Sequence, residues 1–219
     1  MPAQEGQIRI HGHGEFDVEL VIGYLSDLRQ AYNSILVFEA TMDRLRAYRE
    51  SGYPFYPGSL FPFPPSAIRR MRAWPPTAAA IASAVPVFEQ LVLAHVRLQS
   101  PGYWDFIGQL NPFEVLRRYL NDRHERRKDH EYRESAEARK LKLKNLILEN
   151  DAIGGRIKLA KQLGATDHDL APLLNELVYR PLESLDRHQD KGLIENVEVR
   201  SLPDKPPGGA VRRGRSIEL

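Results

Sequence analysis

An α+β fold, in which long helices dominate a small three-stranded sheet, is predicted for this 219-residue chain. Short segments at its start, middle and end alternate apolar and polar residues, the period of a half-buried strand. Between them lie long stretches that repeat apolar residues every three or four positions, the period of a helix face. Nothing repeats in tandem, so the strands are expected to share one sheet with helices covering or leaving it.

The first strand is QIRIH, Gln7 to His11, bounded by Gly6 and Gly12. A helix of about 34 residues, some 50 Å long, follows from Asp17 to Glu50. Val18, Val21, Leu25, Leu28, Tyr32, Ile35 and Met42 form its stripe, interrupted at Glu39 and widened by Ile22, Leu36 and Leu45. Such a rod is longer than one small core needs, so part of it is expected to pack on another long helix.

Ser51 and Gly52 stop this helix. The next stretch, GYPFYPGSLFPFPPS, is uncharged and punctuated by prolines. Proline fixes φ, lacks a backbone donor and turns its predecessor away from helix, so no regular element is expected over residues 51–76. TAAAIASAV predicts a brief helix. LVLAHVRLQ, Leu91 to Gln99, is the strongest strand signal in the chain.

Ser100–Pro101 has the form of a helix start, serine as cap and proline in the first turn, and Asn111–Pro112 repeats it. Helix is then predicted from Pro112 to Gly164, with a polar middle, NDRHERRKDHEYRESAEARK, that has almost no apolar face. Leu143, Leu146, Asn150, Ile153, Ile157 and Ala160 take heptad a and d positions, and a lone polar a residue can fix register in a coiled coil. They are the candidate self-association residues; the plainer alternative is the inner face of a helical hairpin. Gly164 caps this helix. Thr166, with Asp167 and Asp169, opens another that bends or breaks near Pro181. GLIENVEVRSL, Gly192 to Leu202, reads as the third strand. One domain over 1–202 is therefore expected, its helical region about 112–190, followed by a flexible basic tail over 203–219.

Composition narrows the function classes. The 42% apolar content supports a real core, and a net charge of +2 is too small by itself to imply nucleic acid. The absence of cysteine removes disulfides, thiolate catalysis and cysteine-held metals, which suits a reducing cytoplasm. Abundant Arg, Ala and Pro suit a GC-rich bacterial genome. The start, MPAQEGQIRIHG, does not read as a signal peptide, and no uncharged run reaches the roughly 20 residues of a membrane span.

Motifs that carry chemistry are sparse. His11 and His13 of HGHG could share a strand face as metal ligands, but no third ligand accompanies them. His130 and Glu134 share a helix face amid charges that suit a solvated, salt-bridged surface. GxSxG, the P-loop and GxGxxG are all missing. No catalytic residue, cofactor, metal or small-molecule ligand is assigned.

Surfaces offer more. Tyr53, Phe55, Tyr56, Phe61 and Phe63 of the proline stretch, with Trp74 and Trp104, are candidate partner anchors, since rings with little conformational freedom bind at low entropic cost. Arg69, Arg70 and Arg72 beside Trp74 suit a membrane surface less well, without an amphipathic helix or lipidation motif. From Arg117 to Lys144 eleven Lys or Arg face six Asp or Glu, a net +5. Arg117, Arg118, Arg123, Arg126, Arg127 and Lys128 are therefore the candidate contacts for nucleic acid, the weaker alternative. The expectation is a non-enzymatic cytoplasmic scaffold, adaptor or regulatory subunit that docks a protein partner or a second copy of itself. An enzyme whose site converges from distant residues is the remaining alternative.

Overall fold

The computed structural model describes residues 4–12, 17–50, 76–97, 102–128, 145 and 151–202. Strand β1 is Glu5–Gly12 and helix α1 is Val18–Glu50. Helix α2, Ala78–Ala84, is capped by Thr77, whose hydroxyl accepts from the Ala80 amide at 3.2 Å. A 3-10 turn, Val87–Glu89, leads into β2, Val92–Arg97. Then come β3, Gly102–Gln109, and α3, Leu110–Lys128, followed by α4, Asp151–Gln162, and α5, Asp167–Leu174. A wide π-type turn, Asn175–Tyr179, joins α5 to the short helices α6, Arg180–Glu183, and α7, Asp186–Asp190. Strand β4, Asn196–Ser201, completes the described chain.

The fold is α+β, with four strands where three were expected. Their order is β2-β3-β1-β4 and every neighbouring pair is antiparallel. The additional strand is β3. Ser100–Pro101 pointed to a helix over these residues, yet Gly102–Gln109 is extended and pairs on both sides. Tyr103, Trp104, Phe106 and Ile107 are strand-favouring residues, and two neighbouring strands satisfy the backbone of a segment that an isolated helix start would leave to itself.

Register assigns the two sheet faces. Ile8 and Ile10 of β1 stand opposite Phe106 and Trp104 of β3 and opposite Val199 and Val197 of β4. This face forms the core, and the helices cover it. The middle of α1 lies deepest: Tyr24, Leu28, Ala31, Tyr32, Ile35, Phe38 and Met42 are all buried. The stripe read from the sequence therefore runs true at Leu28, Tyr32, Ile35 and Met42 but starts too early, because Val18 and Ile22 are exposed. Helices α2 and α4 and the π turn pack along α1 and sheath it within the same chain. Ile153, Ile157 and Ala160, on the predicted heptad face, are buried in the same core.

Local chemistry explains the helix boundaries. Thr166 and Asp169 form a reciprocal capping box: the Thr166 hydroxyl accepts from the Asp169 amide, and the Asp169 carboxylate accepts from the Thr166 amide at 2.9 Å. Gly164 ends the preceding helix with φ +99°, a backbone angle that glycine adopts without strain. The π turn lies immediately before α6, where Pro181 has no N–H to offer the carbonyl of Leu177, so the helical ladder loosens at the bend expected there.

Tyr32 fixes how α1 meets the sheet. Its hydroxyl donates to the Glu89 carbonyl at 3.0 Å and accepts from the Gln109 amide at 2.6 Å. Burial pushes its pKa upward, so it remains a neutral donor. Gly108 makes room for it: a Cβ there would stand 2.5 Å from the Tyr32 oxygen. Gly108→Ala is expected to destabilise the protein by about 1–3 kcal/mol, because the Tyr32 ring is held from both sides and cannot step aside. Urea unfolding of the two proteins measures the loss.

Candidate functional site

Three regions of the described surface carry enough chemistry to be weighed as sites. The first is the outer sheet face, which no helix among the described residues covers. Arg9 of β1 donates to both Asp105 carboxylate oxygens, from Nε at 2.7 Å and Nη2 at 2.8 Å, and its guanidinium lies 4.2 Å from the centre of the Tyr103 ring. The Asp105 side chain is only 5% exposed, so this bidentate pair is the firmest charge contact on the sheet. His95 stacks on Tyr103 at 5.7 Å between centroids. Arg200 pairs with Glu198 at 3.2 Å, and His11 approaches Glu198 at 3.6 Å. Glu5, Asp105 and Glu198 thus balance Arg9, Arg97 and Arg200 on this face. Antiparallel sheets commonly present one polar face to water. Tyr103 is flanked by Arg9 and His95, so its ring offers no bare platform for stacking.

The arginine-bearing helix α3 is the second region. Arg117 donates to Glu114 at 2.7 Å, one turn earlier. Arg123 reaches across to α7: its Nη1 donates to the Asp186 carbonyl and to Gln189 Oε1, each at 3.1 Å, and its Nη2 to Asp190 at 3.0 Å. With its side chain 18% exposed, Arg123 is a tie between helices rather than a free phosphate contact. Arg118 also has a partner within the chain. Of Arg126, Arg127 and Lys128 only the helical backbone is described. The same helix closes one sheet edge. Asn121 offers its side-chain amide to β4 as another strand would, donating to the Val197 carbonyl and accepting from the Val197 amide, both at 2.9 Å. Tyr119 donates to Asp186, and burial keeps its hydroxyl protonated.

At the other sheet edge lies the third region. Val87 and Phe88 of the 3-10 turn are 82% and 79% exposed, and Val92 and Leu93 of β2 are 53% and 43% exposed. The opposite edge is covered, but β2 has no strand on its outer side among the described residues. Its pairing with β3 slips between Leu93 and His95, a bulge that interrupts the row of edge hydrogen bonds and disfavours simple addition of another strand. The available contact is therefore made by side chains. We call residues 87–93 the apolar limb.

A buried acid–histidine pair was not foreseen from the sequence. His188 Nε2 lies 2.7 Å from Asp27 Oδ2, and Arg187 also donates to that carboxylate. Such pairs orient general bases in enzymes. Here the imidazole is buried, edge-on to Tyr24, and its Nδ1 makes no contact with solvent. The pair ties α7 to α1. Among the described residues, no three His, Asp or Glu side chains converge to hold a metal, and no helix is long and apolar enough to cross a membrane.

No protein-family model matches the chain, and neither a curated protein nor a solved structure does.

Of the residues marked in advance, Trp104 is a core residue, 5% exposed and edge-on to Tyr24. Tyr53, Phe55, Tyr56, Phe61, Phe63 and Trp74 lie outside the described residues, as do Leu143, Leu146, Asn150, His13, His130, Glu134 and the basic tail. Ile153 and Ile157 face inward. Sequence reasoning missed Val87, Phe88, Val92 and Leu93. The available signal was Pro86 followed by two large apolar residues at the end of an uncharged run, just before a strand short enough to be an edge.

Arg123→Ala removes the hydrogen bonds that Arg123 makes to α7 and is expected to cost about 1–3 kcal/mol. If Arg123 served chiefly to bind phosphate, the same substitution would leave the unfolding midpoint unchanged, which chemical denaturation reads directly.

Proposed function

We propose that the chain is a non-enzymatic interaction protein of the cytoplasm, a scaffold, adaptor or regulatory subunit, that docks a protein surface on the apolar limb. One observation carries the proposal: among the described residues, four of the six exposed large apolar side chains fall within seven consecutive positions, Val87, Phe88, Val92 and Leu93. Scattered exposed apolar residues are ordinary, whereas a contiguous group marks a contact surface. Covering a large apolar side chain contributes about 1.5–3 kcal/mol, so a few such residues supply much of the affinity of a modest interface. Only Val85 and Pro86 separate the limb from the helix that ends at Ala84, and the Tyr32–Glu89 bond tethers it to the body, so it is held rather than loose. Holding an anchor in place lowers the ordering cost of association.

Of the residues that the heptad spacing marked for self-association, Ile153, Ile157 and Ala160 face the core, so the apolar limb is the surface chosen here for docking a partner or a second copy. Of the residues named for the nucleic-acid alternative, Arg117 pairs with Glu114 and Arg123 with Asp186 and Asp190, which is why the apolar limb is preferred here.

The test is a double substitution, Phe88→Ser with Leu93→Ser. Both side chains are exposed, so the melting temperature is expected to stay within a few degrees of the parent. Association, read by sedimentation for self-contact and by affinity capture from native cells for another protein, is expected to weaken at least tenfold. Sedimentation of the parent as a monomer at every concentration, together with identical captured proteins for parent and variant, would contradict the proposal.

A further inference from the structure

Glu39 occupies a place on α1 where an apolar residue would be expected. It follows Phe38, precedes Met42 by less than one turn, and its side chain is 10% exposed. Helix α4 supplies its counter-charge. Arg156 Nη1 lies 3.4 Å from Glu39 Oε1, and Arg156 Nη2 lies 3.4 Å from Asp43 Oδ2. Both distances are at the outer limit of a hydrogen bond. A single guanidinium therefore spans two carboxylates, of which Asp43 is exposed and Glu39 is not. Glu89, before β2, is the other acid that acts on Glu39. Helix α2 also packs on α1, and its sequence AAAIASA brings no charge.

We propose that the α1–α4 contact is a proton-operated latch, in which α4 is held firmly on α1 while Glu39 carries a proton and loosens when Glu39 ionises. The geometry dictates this sense. An ionised Glu39 is stripped of water and receives only a long, shared contact in return. The neutral acid carries no such cost, and Arg156 keeps the exposed Asp43 as its partner. With α4 released, the carboxyl returns to water.

Burial pushes the Glu39 pKa to about 7, Arg156 pulls it down, and Asp43 and Glu89 add to the rise. The sign follows from linkage. Docked Glu39 holds its proton more tightly than solvated Glu39 between the ordinary value of 4.5 and about 7. Docking is therefore favoured on the acid side and weakens as pH rises, most steeply across that window and levelling off above about 7. Between pH 6 and 8 the opening constant should rise about tenfold, if release fully hydrates the carboxyl. The inner face so bared contains Ile153 and Ile157, two of the residues that the heptad spacing marked.

Native-state hydrogen exchange of the α4 amides, corrected for the intrinsic pH dependence of exchange, tests the latch on the full chain. In the parent, the opening constant at Ile157 and Ala160 is expected to be about tenfold larger at pH 8 than at pH 6. Glu39→Gln should abolish the difference, and Asp43→Asn should retain it. An opening constant equal at both pH values in the parent, or a Glu39→Gln protein that keeps the full dependence, overturns the proposal. Should Glu39→Gln fail to fold, a carbon NMR titration of the Glu39 carboxyl in the parent decides: a midpoint near 7 supports the latch and one near 4.5 removes it.

Discussion

The seat of α1 on the sheet is the constraint on which the rest of this structure depends, and the Tyr32 hydroxyl fixes it. A single oxygen, with one proton to give and lone pairs to receive, joins three elements distant in sequence: the middle of α1, the turn before β2 and the end of β3. The ring packs on Phe113 of α3 at 5.4 Å between centroids, which brings in a fourth. Because the oxygen is buried, neither bond can be exchanged for water, and losing one leaves an orphaned donor or acceptor. The close approach needs the empty side of Gly108. Two residues of opposite bulk thus set the register between helix and sheet.

From that seat follow both the interior and the surface. Once α1 lies on Ile8, Ile10, Trp104 and Phe106, its far side is free to receive α2, α4 and the π turn, and the middle of its apolar stripe, from Leu28 to Met42, is buried within one chain. The two sheet edges then differ. Asn121 pairs with the Val197 backbone at the β4 edge, while β2 lies beside the Tyr32–Glu89 bond with Val92 and Leu93 exposed. Exposure of the limb is therefore a consequence of how the core is built. The charges follow a similar division. Those near the core, Arg9 with Asp105, Arg123 with α7, and Asp27 with His188, join elements to each other; Glu39 alone among them sits on an interface whose charge is poorly compensated.

Periodicity revealed those parts of the fold in which one face is buried and the other wet. Gln7 to His11 alternates because Ile8 and Ile10 face inward while Arg9 and His11 face out, and the same holds for Val197 in β4. The helix start at Thr166 and the stop at Gly164 were legible because they are local chemistry. Strand β3 was not. As a central strand it places aromatic residues on both faces, Trp104 and Phe106 inward and Tyr103 outward, so alternation is lost, and the Ser100–Pro101 signal pointed elsewhere. The burial of Tyr24 and Phe38 was also hidden, because α1 is surrounded along its middle and a single stripe underestimates how much of it is covered. Strand β2 misled in the opposite direction: its alternation implied a buried face, but at an edge Leu93 stays 43% exposed. Which charged residues would be spent on intramolecular pairs depended on contacts some 60 to 160 positions apart, beyond the reach of spacing.

The most direct test of the Tyr32 clasp is Tyr32→Phe, which removes one oxygen and nothing else. Equilibrium unfolding should lose about 1–3 kcal/mol, and the Gln109 amide, deprived of its acceptor, should lose protection from exchange more than the amides of Ile8 and Ile10 do. Unchanged stability with an equally protected Gln109 amide would contradict the account.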